Sequence, residues 1–185
     1  MNSEIREYGN LITEYAKQNY RKMFREPDGL LKYKFIVPGS GYTNSLWDWD
    51  SWLTDIALRQ LNGEDDISEY EKGCILNFID FVDKDGRVPI SIMPDHTIPK
   101  FVEGVETNIH KPCLAQHALF VCEQIGDFEW LKDGFANMER YIGFYINKCK
   151  HESGLYYWID DCAIGVDNDP CTFYRPKCSS GSIYL

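Results

Sequence analysis

Apolar residues recur along this chain at two spacings, and the helical one dominates. Ile5, Tyr8, Ile12 and Tyr15 lie three, four and three positions apart with charges between them, which predicts an amphipathic helix over residues 4–25. Leu53, Ile56, Ala57 and Leu61 make the stripe of a second helix within 44–61, with Asn44 or Ser45 as its cap. Ser68-Glu69-Tyr70-Glu71 has the form of a capping box and starts a third helix through Cys74, Ile75, Phe78, Phe81 and Val82, ended by Asp85-Gly86. Leu114, Ala118, Val121 and Ile125 define a fourth, with Thr107 or Asn108 as cap, Pro112 near the first turn and Gly126 as its stop. A fifth begins at Asp127 and carries Phe135, Met138, Ile142, Tyr145 and Cys149. The last residues, 178–185, read as the beginning of another.

Between these stripes the period changes. Pro27-Asp28-Gly29 turns the chain, and Lys32-Tyr33-Lys34-Phe35 alternates polar and aromatic residues as a short extended piece ending at Pro38-Gly39. Residues 88–100 hold three prolines, which exclude a helix and favour an extended excursion. Paired helices joined by long, aromatic, acidic loops predict an all-α array with a loop-built site at one end, as one domain over 1–185.

Composition narrows the partners. A net charge of −10 argues against nucleic acid. No apolar run approaches the roughly 18 residues of a membrane span, and the N-terminus lacks a basic start followed by an apolar core. The seven cysteines are odd in number and form no CxxC pair, so free thiols in a reducing, cytoplasmic setting are expected.

Three stretches carry candidate chemistry. The entrance to the second helix interleaves Trp47, Trp49 and Trp52 with Asp48 and Asp50. Acids there favour the helix dipole, but three tryptophans in six residues exceed what capping requires and suit a hydroxyl-binding rim. Residues 106–118 set His110, Lys111 and Gln116 in an apolar segment. His110, Cys113 and His117 match no common zinc spacing and lack a fourth ligand, so no metal is expected. Residues 154–176 surround Asp160, Asp161, Asp167 and Asp169 with aromatic residues. Aromatic walls with a few carboxylates and little water raise a carboxyl's pKa and suit sugar binding or general acid work. Asp167-Asn168-Asp169 is no EF-hand loop, because Thr172 stands where glycine is needed and Cys178 where glutamate is.

Taken in order, Trp47-Asp48-Trp49-Asp50-Ser51, Lys111-Pro112-Cys113-Leu114 and Gly165-Val166-Asp167-Asn168-Asp169-Pro170-Cys171 resemble segments of the (α/α)6-barrel glycoside hydrolases in the clan of family 63 and the family 37 trehalases. The resemblance spans residues 44–176. It implies an all-α six-hairpin toroid, of which this chain is about the N-terminal half. It implies inverting hydrolysis of α-glucosidic or related α-linked sugars without a cofactor. Asp167 maps onto the general acid; Trp47, Asp48, Trp49, Asp50, Lys111 and Gln116 map onto the substrate rim. The clan's base is a glutamate far downstream, so it is expected beyond Leu185, and self-association or docking with a complementary C-terminal half is expected to cover exposed stripes. Val166, Cys113 and Asp169-Pro170-Cys171 depart from the clan's pattern and bear on which sugar is bound. Two rival readings are a carbohydrate-binding or interaction fragment without turnover, and a helical sugar epimerase, which would need histidine acid/base groups.

Overall fold

The helical spacing is realised five times in the computed structural model, which describes residues 3–42, 44–61, 66–103 and 109–157. Helix α1 spans Ser3–Asn19, α2 Asp48–Gln60, α3 Ser68–Ile79, α4 Leu114–Ile125 and α5 Phe135–Lys148. Extended pieces pair between them. Strand β1 (Phe24–Arg25) lies antiparallel to β2 (Phe35–Ile36), with Phe24 opposite Ile36. Strand β3 (Leu46–Trp47) joins the hairpin of β4 (Ser91–Ile92) and β5 (Thr97–Ile98) in an antiparallel sheet of order β3-β4-β5.

The expected all-α toroid is therefore incorrect: the described residues form a mixed α and β structure, five helices with two small antiparallel sheets. The cause lies in the breaks. The turn at Asp28–Leu31 brings β1 against β2, and the proline-bounded excursion folds back as β4 and β5 to capture Leu46-Trp47. That capture also moves the start of α2, because Trp47, in extended geometry, precedes its first turn in place of Asn44 or Ser45. Helix α1 ends earlier than its pattern suggested: Tyr20–Met23 tightens to a 3-10 turn and Phe24 becomes extended.

Helix α3 is the centre of the core. Cys74, Ile75 and Phe78 are fully buried, with Phe35, Ile36 and Val37 among the buried residues on one side and Leu114, Val121 and Tyr141 from α4 and α5. Gly73 permits the approach: a Cβ there would stand 1.8 Å from the carbonyl oxygen of Lys34. Asn77 locks the same segment, accepting from the Lys32 N–H at 2.8 Å and donating to the Tyr33 carbonyl at 3.1 Å. The expected capping box at Ser68 is not formed; Asp66 accepts from the Ser68 N–H, and Glu71 turns inward. Helix α4 begins at Leu114 behind Cys113, while the expected caps Thr107 and Asn108 lie outside the described residues. Gly126 ends α4 in the left-handed conformation (φ 69°), as its position suggested. Asp127 caps a 3-10 segment, Glu129–Gly134, that precedes α5.

Helix α2 sits the other way round from its hydrophobic stripe. Its buried residues are Asp48, Ser51, Asp55 and Leu58, whereas Leu53 is 55% exposed. Helix α1 buries none of its residues.

Candidate functional site

The inverted face of α2 brings carboxylates inside the molecule. Asp48, the first residue of α2, donates its N–H to the Ile90 carbonyl at 2.9 Å, which ties the helix entrance to the β4 approach. Its side chain is 1% exposed. Oδ2 accepts from the Lys111 N–H at 3.1 Å and lies 3.1 Å from Lys111 Nζ. Oδ1 is buried with no hydrogen-bond partner among the described residues. Lys111 Nζ also stands 5.1 Å above the Trp49 ring, a cation–π distance. One ammonium thus joins the second and third aromatic-acidic positions of the helix entrance to a segment 63 residues further along.

Asp50 completes the group. It is half-buried, and its carboxyl pKa is raised, first by loss of hydration and then by the neighbouring Asp48 charge; Lys111 partly opposes this. Trp47 lies at the rim, donating its indole N–H to Ser45 Oγ at 3.0 Å and meeting Tyr42 edge to face. Gln116 is on the exposed face of α4 and is not bonded to Asp48 or Lys111, so the structure does not bring it into the group. Asp167 lies outside the described residues.

The segment carrying Lys111 is held from beneath. The His110 N–H donates to the Val88 carbonyl at 2.7 Å, and His110 Nδ1 lies 2.7 Å from the Lys111 carbonyl, a contact that assigns the proton to Nδ1. The hydroxyls of Tyr141 and Tyr145 donate to the carbonyls of Lys111 and His110. Phe78 packs edge to face on the imidazole. Burial lowers the His110 pKa to about 4, so the ring is neutral at pH 7 and serves as a scaffold. Burial pushes the nearby Cys113 thiol up to about 12, which removes it as a thiolate nucleophile.

A second buried cluster was missed in the sequence. Asp55, about two turns of α2 below Asp48, meets His117 of α4 at 2.5 Å. Arg59 binds Glu71 of α3 through two contacts, the Nε–Oε1 one at 2.7 Å. Loss of hydration raises both the Asp55 and the Glu71 carboxyls. The signal was present: Asp48, Ser51 and Asp55 follow the core period as well as Leu53, Ile56 and Ala57 do. His110 and His117 are engaged in these contacts, and among the described residues no group of three or more His, Cys, Asp or Glu is arranged to hold a metal ion.

No protein-family model matches the chain, and no curated protein matches it.

Proposed function

We propose that the Trp49–Asp50–Asp48–Lys111 group is the sugar-binding rim of a glycoside hydrolase acting on α-linked sugars. The observation that carries this reading is the placement of one ammonium between a buried carboxylate and an indole face, beside a half-buried carboxyl. Sugar hydroxyls need donors and acceptors at fixed positions, and the apolar face of a pyranose needs an aromatic surface. Lys111 and Asp50 supply the first, Trp49 and Trp47 the second. Asp48 orients Lys111 and is itself spent in doing so.

In this proposal hydrolysis proceeds with inversion. Asp167 protonates the departing glycosidic oxygen, and a second carboxylate, about 6.5–9.5 Å away on the opposite sugar face, activates water. No cofactor takes part. The support for Asp167 is the resemblance of its segment to the acid-bearing motif. The cytoplasmic setting belongs to the same proposal; it rests on free, buried Cys74, Cys113 and Cys122, while no described helix is long and apolar enough to cross a membrane. A binding role without turnover is the second reading. It is favoured by the mutual neutralisation of Asp48 and Lys111, an arrangement suited to holding a ligand rather than moving a proton.

Two measurements test the proposal: binding to the 185-residue chain, and hydrolysis by a polypeptide extended to carry the downstream glutamate that the resemblance implies. Calorimetry with methyl α-glucoside and methyl α-mannoside should show binding that Asp50→Ala weakens by about 1–3 kcal/mol, the cost of an unpaired partner. Hydrolysis should be lost in Asp167→Asn for natural disaccharides and less so for p-nitrophenyl glycosides, whose leaving group needs little protonation. Binding without hydrolysis selects the second reading. Absence of binding by either sugar refutes both.

A further inference from the structure

Beside the group around Lys111, the approach to α2 presents a second aromatic feature. Tyr42 closes the 3-10 turn Ser40–Tyr42, and it is 49% exposed. Its ring centroid stands 6.1 Å from that of Trp47, and the two rings meet at 73°, which makes a corner. Exposed aromatic residues are common singly, but this one is tied to its neighbour. The Tyr42 N–H donates to the Gly39 carbonyl at 3.0 Å. The Tyr42 carbonyl accepts twice from Ser45, from its N–H at 3.2 Å and from its hydroxyl at 2.7 Å. The same hydroxyl accepts the Trp47 indole N–H at 3.0 Å. A chain of polar bonds therefore runs from one ring to the backbone of the other, and each bond polarises the next.

Trp47 is fixed by its backbone too, since β3 pairs with β4 and sets Trp47 opposite Ser91. The hydroxyl of buried Ser45 and the indole N–H are both spent on orienting the corner. Neither Tyr42 nor Trp47 belongs to the hydrophobic core, so core packing does not account for the arrangement. A held aromatic corner loses little entropy when the flat apolar face of a ligand settles on it. The turn leaves space beside Tyr42: a Cβ on Gly41 would meet no atom within 4 Å. Asn44, two residues further along, accepts from Arg25 Nε at 3.1 Å and donates to Asp28 at 3.3 Å. That trio supplies the donors and acceptors that hydroxyls need. Trp47 and Trp49 are two residues apart, which spans at most about 7 Å even in an extended chain. The corner therefore adjoins the Trp49–Lys111 position without coinciding with it.

We infer that Tyr42 and Trp47 form a second sugar position beside Trp49 and Lys111, so that the rim selects α-linked disaccharides or longer chains over single sugars. Tyr42 is the residue that sets this preference. The inference rests on the sugar-binding reading of the rim and names its substrate class.

Calorimetry on the 185-residue chain compares methyl α-glucoside with maltose, and methyl α-mannoside with an α-linked mannobiose. In whichever pair binds, the disaccharide should be held about 10-fold more tightly. Tyr42→Ala should bring the two affinities together, whereas Tyr42→Phe, which keeps the ring, should keep them apart. Saturation-transfer NMR on the parent protein needs no variant: irradiating aromatic protons should mark both rings of the bound disaccharide. Equal affinity for one ring and two, an advantage that survives Tyr42→Ala or is lost equally in Tyr42→Phe, or saturation confined to one ring would each overturn the inference and leave the rim reading standing. Absence of binding by every sugar overturns both.

Discussion

Replacing Lys111 by methionine isolates the Asp48–Lys111 pair. The stem and volume stay, and the charge goes. Asp48, 1% exposed, then retains the Lys111 backbone N–H as donor, and its Oδ1 has no described partner in the parent protein. Removing one member of a buried pair costs about 3–5 kcal/mol. The penalty should therefore be about 3–5 kcal/mol at pH 7. Urea unfolding measures it, provided the slope against denaturant stays constant. Adding Asp48→Asn removes the stranded charge and should recover at least about 1.5 kcal/mol at pH 7, a coupling within the range for contacting residues. A loss under about 1 kcal/mol, or no recovery on adding Asp48→Asn, would refute the buried pair.

His110 gives a pH signature of its own: with a folded pKa of about 4 against 6.5 unfolded, it stabilises the fold above pH 6.5, and about 1.4 kcal/mol should be lost per unit as pH falls towards 4. In His110→Phe that part of the slope should vanish, whatever the variant's stability at neutral pH. On α2, Leu58→Ala should cost about 2–5 kcal/mol as a core truncation, whereas Leu53→Ala should stay within about 0.5 kcal/mol of the parent. Chemical denaturation of the pair would expose any error in the orientation of α2.

The helices were legible because apolar spacing reports local geometry directly. Gly126 marked the end of the fourth helix, and the proline-bounded excursion was read as non-helical; the fifth begins at Phe135 rather than behind the expected cap Asp127. The strands were not, because each is two residues long and exists only through a partner far along the chain: Leu46 meets Ile92, and Phe24 meets Ile36. Two residues cannot show a period of two. The capping box at Ser68 failed for a related reason. Glu71 has the spacing of a capping residue, but Arg59 offers it a charged partner in the interior, and a charge-assisted pair outweighs a helix-end hydrogen bond.

The orientation of α2 is where local pattern and tertiary structure part most clearly, and it also builds the proposed site. The apolar stripe alone would bury Leu53 and Ala57 and leave Asp48 and Asp55 in water. Instead two buried polar cross-ties, Asp48 to Lys111 and Asp55 to His117, fix α2 to the segment that begins α4, with Asp55 about two turns below Asp48. Burying carboxylates costs several kcal/mol per ion before pairing, a cost that hydrophobic packing alone would never incur. Two consequences offset it. The cross-ties hold Trp49 and Asp50 at the rim against a fixed Lys111, which supplies the preorganisation a binding site needs. They also turn Leu53 and Ala57 outward to face α1, where they wall an apolar groove between the two helices. The fixed helix entrance and the apolar groove beside α1 are thus two results of a single rotation of α2, and a variant that rotated α2 back would lose both.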